Sequence, residues 1–286
     1  MQLESHEGRK MLVVVAHPDD ETFGMGGTLA LYAHLGVKIH LICATRGEVG
    51  EVEAEKLERF SSIGKLREHE LRCAADVLGL RKLYFLGYRD SGMQGSDENQ
   101  HPDAFMNAPR DDVAKKIAVI IREFKPEVVL TFDPNGGYMH PDHIAAHKAT
   151  VAAFDLAGDK SFITSQLKPF KPRKLYFQII PRTFLKLIVR FMPLFGVDPN
   201  QFGKNKDINL TAILREDFPV HAKINYRKYA MIRDKASACH ASQGGDRKSG
   251  YIVAWIIRLF SSVETYMRGY PQMEDGKIEK DLFSEM

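Results

Sequence analysis

Short apolar runs that alternate with longer helical patterns constrain the fold of this chain most strongly. The apolar runs occupy residues 11–16, 37–44, 82–86, 127–132 and 174–180. The first two are rich in β-branched residues, as in parallel strands buried on both faces. The helical patterns occupy residues 28–35, 53–78, 111–124 and 142–156. Strands that alternate with helices form right-handed βαβ units. The sequence therefore predicts an α/β fold, with a Rossmann-like, mostly parallel sheet and helices on both faces.

Beyond about residue 185 the alternation becomes irregular. We expect a short helix over 183–194, a loop over 196–209, a long helix over 218–240 and a last edge strand over 263–267. No internal repeat is visible in the sequence. We therefore predict one domain over residues 1–286, with a core at about 10–185 and a C-terminal elaboration over about 186–286.

Composition and charge argue against several classes of protein. A net charge of +3 over 286 residues is too small to favour a nucleic-acid partner. The longest apolar stretch, residues 251–257, is too short for stable membrane insertion, and the first ten residues lack the apolar region of a secretory signal. The cysteines at 43, 73 and 239 are far apart and show no CxxC spacing, so we expect reduced thiols in a cytoplasmic protein.

Two short segments carry groups that bind metals. Residues 16–21 read Ala-His-Pro-Asp-Asp-Glu after the first predicted strand, and residues 140–143 read His-Pro-Asp-His after the fourth. Ligands in α/β folds bind at the carboxyl ends of strands, so both segments are expected at one edge of the sheet. His17, Asp20 and His143 would then bind one divalent cation and leave a coordination position open, as in catalytic sites. This ligand set suits Zn²⁺, and it also suits Fe²⁺.

The remaining polar residues of these segments favour hydrolysis. Asp19 adjoins a predicted ligand and could act as a general base on water. His140 could stabilise an oxyanion or protonate a leaving amine, and Asp142 could orient His140 or His143. Either segment alone could be a simple helix cap, but both together, each after a buried strand, indicate a metal-dependent hydrolase. His147, one helical turn after His143, is expected to be structural.

These residues resemble the signatures of the PIG-L/LmbE family of zinc-dependent N-deacetylases. Within it they are most similar to the mycothiol-pathway branch, which contains the N-acetylglucosaminyl-inositol deacetylase and the mycothiol conjugate amidase. The resemblance lies in residues 16–21, 47–52, 88–93 and 133–143, with a weaker echo in 240–243. It implies the Rossmann-like fold predicted above. It also implies that the amide of an amino sugar is hydrolysed.

The resemblance also implies individual roles for residues of this chain. His17, Asp20 and His143 match the zinc ligands, and Asp19 matches the general base. His140 matches the residue that stabilises the tetrahedral intermediate and protonates the amine. Tyr138 matches a mobile tyrosine that reaches the substrate carbonyl. Positions that contact the sugar or its aglycone correspond to Glu51, Arg67 and Asp90. Without the resemblance, Tyr138 and these last three residues would be interpreted as structural.

The sequence departs from the family pattern in two places. Met139 stands where that branch usually has glycine. Residues 168–225 match no pattern, and their aromatic and basic stretch at 184–195 could form a lid or a contact in a homo-oligomer. Because loops of this kind surround the aglycone side of such a site, the departures leave the exact substrate open.

The predicted function is therefore removal of an N-acetyl group from an N-acetylglucosamine-type amino-sugar conjugate by metal-activated water. The alternative is an amidase that cleaves a larger acylated amino-sugar (thiol) conjugate by the same chemistry. The glycines at 24, 26 and 27 suggest a nucleotide-binding module, but their spacing is not GxGxxG and three carboxylates precede them. An iron oxygenase would share the facial triad, whereas the spare Asp19 favours water activation.

Overall fold

The structure is a computed structural model that describes residues 5–164, 166–179, 186, 189–201, 209–214, 217–245, 262–273 and 276–284. Seven strands within these ranges form one sheet: β1 Lys10–Val15, β2 Lys38–Cys43, β3 Lys82–Phe85, β4 Val128–Phe132, β5 Lys174–Ile179, β6 Ala222–Asn225 and β7 Val263–Tyr270. The strand order is β3-β2-β1-β4-β5-β7-β6. Strands β1 to β5 are parallel, and β7 is antiparallel to both β5 and β6. The predicted α/β class with a mostly parallel sheet is confirmed.

Eight α-helices are described in these parts of the chain: α1 Asp20–His34, α2 Ala54–Leu57, α3 Ile63–Leu78, α4 Arg110–Phe124, α5 Gly136–Met139, α6 Pro141–Gly158, α7 Leu210–Ile213 and α8 Ala230–Cys239. The chain moves outward from β1 to β3 through α1 and α3, then returns to β4 and β5 through α4 and α6. Because these crossovers are right-handed and run in opposite directions, the two pairs of helices cover opposite faces of the sheet. The central strand β1 is buried from Met11 to Val15 as a result.

Two predicted helix boundaries were wrong. The helical pattern over 53–78 forms two helices, because Ser62 is extended and its side chain accepts a hydrogen bond from the Lys65 N–H, which starts α3 anew. Helix α1 begins at Asp20 and not near residue 28, so its glycines lie inside the helix. Packing against neighbouring elements has overridden the low helix propensity of glycine here.

The C-terminal part was predicted less well. The helix expected over 218–240 is strand β6 followed by α8. Burial alternates along β6, with Ala222 and Ile224 buried and Lys223 and Asn225 exposed, so a period of two was missed in a short segment. Strand β7 matches the strand expected at 263–267, but it lies between β5 and β6 and is not an edge. The helix expected over 183–194 and the loop over 196–209 lie partly outside the described residues.

The expectation of three reduced cysteines was also wrong. Cys73 on α3 and Cys239 at the end of α8 form a disulfide that links residues 166 positions apart. Their distance in the sequence gave no indication of this pairing, because α3 and α8 become neighbours only in the folded chain. Cys43 is free and buried.

Close packing explains why a glycine stands at position 27. A Cβ atom there would lie 2.1 Å from Cγ of Tyr226, whose ring is buried against α1. We expect Gly27→Ala to lower the free energy of unfolding by about 1–3 kcal/mol because the aromatic ring must move. The matched control is Gly24→Ala in the same helix, where the added Cβ would meet only Gln178 at 3.7 Å. Urea denaturation measures both, and equal stability of the two variants would contradict this packing argument.

In the part of the chain that the structure describes, no helix combines the length and the apolar character needed to cross a bilayer.

Candidate active site

Three predicted ligands meet at the carboxyl ends of two adjacent strands. His17 follows β1, Asp20 opens α1, and His143 lies in the first turn of α6, which follows β4. Strands β1 and β4 are neighbours in the sheet, so the loops after them open at the same edge. His17 and His143 are buried, and the Asp20 side chain is 9% exposed.

The donor atoms of the three side chains lie close together, with His143 nearest to one oxygen of Asp20 and His17 near the other. Nε2 of His143 lies 3.3 Å from Nδ1 of His17 and 3.2 Å from Oδ1 of Asp20. Nδ1 of His17 lies 3.6 Å from Oδ2 of Asp20. Ligand atoms at about 2.0–2.2 Å from a tetrahedral zinc ion are about 3.3–3.6 Å apart. The donor set and its spacing therefore fit a single small divalent cation.

The outer nitrogen of each imidazole has an acceptor. Nε2 of His17 lies 3.0 Å from Oδ2 of Asp142 and 3.4 Å from Oδ1 of Asp90. Nδ1 of His143 lies 3.1 Å from the Gly136 carbonyl oxygen. Such acceptors fix the proton on the outer nitrogen and leave the inner nitrogen free to bind a metal.

Asp142 orients a different histidine from those expected. Its carboxylate contacts His17, not the rings of His140 or His143, and it also accepts hydrogen bonds from the backbone N–H and the hydroxyl of Ser91. The reason is that Asp142 lies in the first turn of α6 and points back toward β1. Only its backbone N–H reaches His140, donating to Nδ1 at 3.2 Å.

Burial and nearby charges shift the pKa values of the Asp19 and Asp20 carboxylates in opposite directions. Burial alone would raise the pKa of Asp20, but the His143 and His17 rings lower it below its usual range. Burial also raises the pKa of Asp19, to about 6, although Arg67 opposes this shift. Asp20 is thus held as an anion suited to bind a cation, whereas Asp19 titrates close to neutrality.

Asp19 lies beside the ligands in an uncommon backbone conformation. Its φ of 133° is in the region that favours glycine. Its Oδ2 accepts a hydrogen bond from NH2 of Arg67 at 3.0 Å, and its backbone N–H donates to Oε2 of Glu21 at 3.1 Å. A non-glycine residue in such a conformation persists only when its surroundings hold it there.

The residues predicted to contact the sugar occupy different environments. Arg67 is buried and donates to the carbonyl oxygens of Gly47 and Pro18 in addition to Asp19. Asp90 is buried against His17, and burial would raise its pKa, but the His17 ring lowers it. Glu51 is exposed, and its carbonyl oxygen accepts from the Gln243 side chain at 3.4 Å.

Tyr138 packs against two histidines of the site. The Tyr138 ring lies edge-on to His143 at 5.0 Å and to His140 at 5.8 Å between ring centroids. Burial, with the nearby Asp20 and Asp19 carboxylates, holds the pKa of Tyr138 well above its usual value, so its hydroxyl keeps its proton. Met139 has a φ of 70°, a backbone conformation that glycine adopts more readily than methionine.

His140 brings a third imidazole to the site. Its ring centroid lies 4.6 Å from that of His17, and His17, His140 and His143 can each offer a nitrogen within 4.8 Å of the others. Burial and the rings of His17 and His143 lower the pKa of His140 to about 2. Since its Nδ1 accepts from the Asp142 N–H, a neutral ring carries its proton on Nε2.

Glu21, His240 and Ser91 have no role predicted from the sequence. Nε2 of His240 lies 2.8 Å from Oε1 of Glu21, and both residues are fully buried. The signals were present, because Glu21 ends the first motif and His240 begins the weak echo at 240–243. The glycines at 24, 26 and 27, by contrast, are internal positions of helix α1, so they do not form a phosphate-binding loop.

Known relatives of this chain are named as deacetylases. A family model described as PIG-L: GlcNAc-PI de-N-acetylase matches residues 12–154. A protein of Thermobifida fusca (strain YX) named 1D-myo-inositol 2-acetamido-2-deoxy-alpha-D-glucopyranoside deacetylase is 40% identical, over 96% of this chain and 99% of that protein. A protein of the same name from Geodermatophilus obscurus is 36% identical, over 82% of this chain and 83% of that protein.

The fold has relatives among solved structures as well. The N,N'-diacetylchitobiose deacetylase of Pyrococcus horikoshii superposes with a TM-score of 0.61 at 19% identity, over 91% of this chain and 83% of that chain. At this identity the likeness concerns the fold. The family model matches half of the sequence, and the named relatives align over most of it. The chain therefore belongs to the PIG-L family of de-N-acetylases and is an amide-hydrolysing enzyme.

Proposed function

We propose that this enzyme uses a divalent metal, zinc in its native form, to remove the acetyl group from an N-acetylglucosamine-type conjugate. One observation carries the proposal. Two imidazole nitrogens and the Asp20 carboxylate lie 3.2–3.6 Å apart, with the Asp19 carboxylate beside them but outside the ligand set. A structural metal would need no such extra base, because a closed site has no reactive water.

The bound cation would lower the pKa of a coordinated water from 15.7 to about 7 and place positive charge next to the amide oxygen. Asp19 then acts as general base and takes a proton from the attacking water, while Arg67 holds its Oδ2. His140 donates its Nε2 proton in a hydrogen bond to the carbonyl oxygen as negative charge builds there. Tyr138, whose hydroxyl stays protonated, serves as a second donor to that oxygen.

The departing nitrogen needs one proton to leave as an amine. Asp19 transfers to the nitrogen the proton that it took from water, which releases a neutral amine and acetic acid. The proton of the acid then passes to the amine, so one water and one amide give acetate and an ammonium group. We assign the final proton to Asp19 and keep His140 as the oxyanion donor, since a neutral His140 cannot give up its only proton. Glu51, Arg67 and Asp90 remain our proposed contacts to the sugar.

The names of the relatives indicate a narrower class of substrate. The Thermobifida fusca protein, which aligns over almost its full length, is named for an acetamido sugar linked to myo-inositol. We propose the same class of substrate here, an N-acetylglucosamine joined to a polyol. The amidase alternative differs only in the size of the acyl group and the aglycone, so the chemistry of the site does not separate the two.

Acetate and free amine release provide the test. The metal-free protein is assayed with N-acetylglucosaminyl-inositol, with simple N-acetylglucosamine glycosides and with a larger acylated amino-sugar thiol conjugate, after addition of Zn²⁺ or Fe²⁺. We expect activity only with metal, and the highest kcat/KM on the inositol conjugate. Preference for the larger conjugate would establish the amidase alternative, and undiminished hydrolysis in the presence of a chelator would refute the metal-dependent proposal.

A further inference from the structure

Two fully buried residues outside the proposed mechanism form a chain of contacts that ends at the backbone of the proposed base. Oε2 of Glu21 accepts the backbone N–H of Asp19 at 3.1 Å, and Oε1 of Glu21 lies 2.8 Å from Nε2 of His240. Glu21 also accepts from the Thr22 hydroxyl. The Glu21 and His240 side chains are both 0% exposed, so no solvent competes for these contacts.

A backbone in the conformation of Asp19 needs such a contact. Its φ of 133° is disfavoured for a residue with a side chain, typically by about 1–3 kcal/mol. Arg67 fixes the carboxylate of Asp19 and the Pro18 carbonyl oxygen, but neither bond holds the Asp19 N–H. The Glu21 carboxylate is the group that does, so it sets the direction in which the Asp19 side chain leaves the chain.

His240 is in turn tied to the helix that carries Arg67. The preceding residue, Cys239, is disulfide-bonded to Cys73 on α3. Two residues later, the Ser242 backbone N–H and hydroxyl donate to the Glu70 carboxylate at 2.7 and 2.6 Å. The segment around His240 and the guanidinium of Arg67 are therefore both attached to α3.

We propose that Glu21 and His240 form a positioning pair that holds Asp19 in its reactive orientation. This inference rests on the role of Asp19 under the proposed function. His240 donates its Nε2 proton to Glu21, which keeps that carboxylate turned toward the Asp19 N–H. Burial alone would lower the pKa of His240, but the Glu21 carboxylate outweighs burial and raises it, which favours the donating form.

A second carboxylate that contacts the same helix provides a matched control. Glu264 of β7 accepts the backbone N–H groups of Gly27 and Thr28 at 2.9 and 2.7 Å. It thus makes the same kind of contact with α1, but further along the helix and without touching Asp19. Loss of either carboxylate leaves buried N–H groups unsatisfied and lowers stability, whereas only loss of Glu21 should misplace the base.

The experiment measures kcat, KM, metal content and melting temperature for Glu21→Gln, His240→Ala and Glu264→Gln. A misplaced base lowers kcat by about tenfold to 100-fold, since displacements near 1 Å have effects of this size. We expect such a loss for Glu21→Gln and His240→Ala, with KM within about threefold of wild type and the metal retained. We expect Glu264→Gln to keep its kcat within about twofold even if it melts earlier.

Combining Glu21→Gln with Asp19→Asn distinguishes a role of Glu21 in positioning Asp19 from a role in folding alone. If Glu21 acts through Asp19, Glu21→Gln should change the residual rate of that variant less than about twofold. An equal loss in both backgrounds, or a kcat for Glu21→Gln within twofold of wild type, would overturn the inference. A wild-type protein that releases no acetate with metal present would instead refute the proposed function, so the two failures are distinguishable.

Discussion

Asp19→Asn is expected to lower kcat for acetate release by about 10²–10⁴-fold, the usual contribution of a general base. Asparagine has nearly the same shape as aspartate, but it cannot take a proton from water. Its side-chain oxygen can still accept the hydrogen bond from NH2 of Arg67 that Asp19 accepts at 3.0 Å. Because Asp19 is not among the three proposed ligands, the variant should bind metal as the wild type does. Steady-state kinetics together with metal analysis on one preparation measure both effects.

Asp19→Ala serves as the companion variant. It removes the carboxylate and its contact with Arg67, so it should be as inactive as Asp19→Asn and also less stable. A near-normal rate in either variant would refute the role of Asp19 as base. Loss of the metal in both variants would instead place Asp19 among the ligands.

His143→Ala is expected to abolish activity for a different reason, because it removes a ligand. Substituting an outer partner of a metal ligand usually lowers metal affinity about 10–100-fold, so loss of the ligand itself should exceed about 100-fold. The purified variant should contain less than a tenth of the wild-type metal. Competition with a chromophoric chelator measures the affinity directly.

His147→Gln is the control for this loss. His147 lies one turn further along α6, and its Nδ1 bonds to the Phe132 carbonyl oxygen at 2.8 Å. The two histidines share a helix and are both buried, but only His143 faces Asp20. We expect His147→Gln to keep its metal, and equal metal loss in the two variants would argue that α6 is merely disturbed.

The sequence predicted the centre of the fold well because the central strands are short, apolar and rich in β-branched residues. Strand β4 is buried at every position, which is the pattern that its sequence indicates. Prediction failed where tertiary packing decides the outcome. Helix α1 contains three glycines that local propensity disfavours, and β6 is only four residues long. The predicted division into a core and a C-terminal elaboration remains a prediction.

The site was predictable to the extent that it follows strand ends. His17, Asp20 and His143 come together because β1 and β4 are adjacent, a strand order that the alternation of strands and helices allows but does not fix. Their supporting contacts were not predictable. His240 meets Glu21 across 219 residues, and Asp142 turned out to orient His17. Contacts of this kind depend on side-chain directions that a sequence pattern does not contain.

Anomalous X-ray diffraction at the zinc absorption edge tests the central claim most directly. Crystals of the zinc-loaded protein should show one strong anomalous peak, about 2.0–2.2 Å from Nδ1 of His17, Nε2 of His143 and a carboxylate oxygen of Asp20. The Asp19 carboxylate should lie beside this peak without binding the ion. An ion held by His140 in place of Asp20, or a peak too far from either His17 or His143 to be bound by both, would contradict the account.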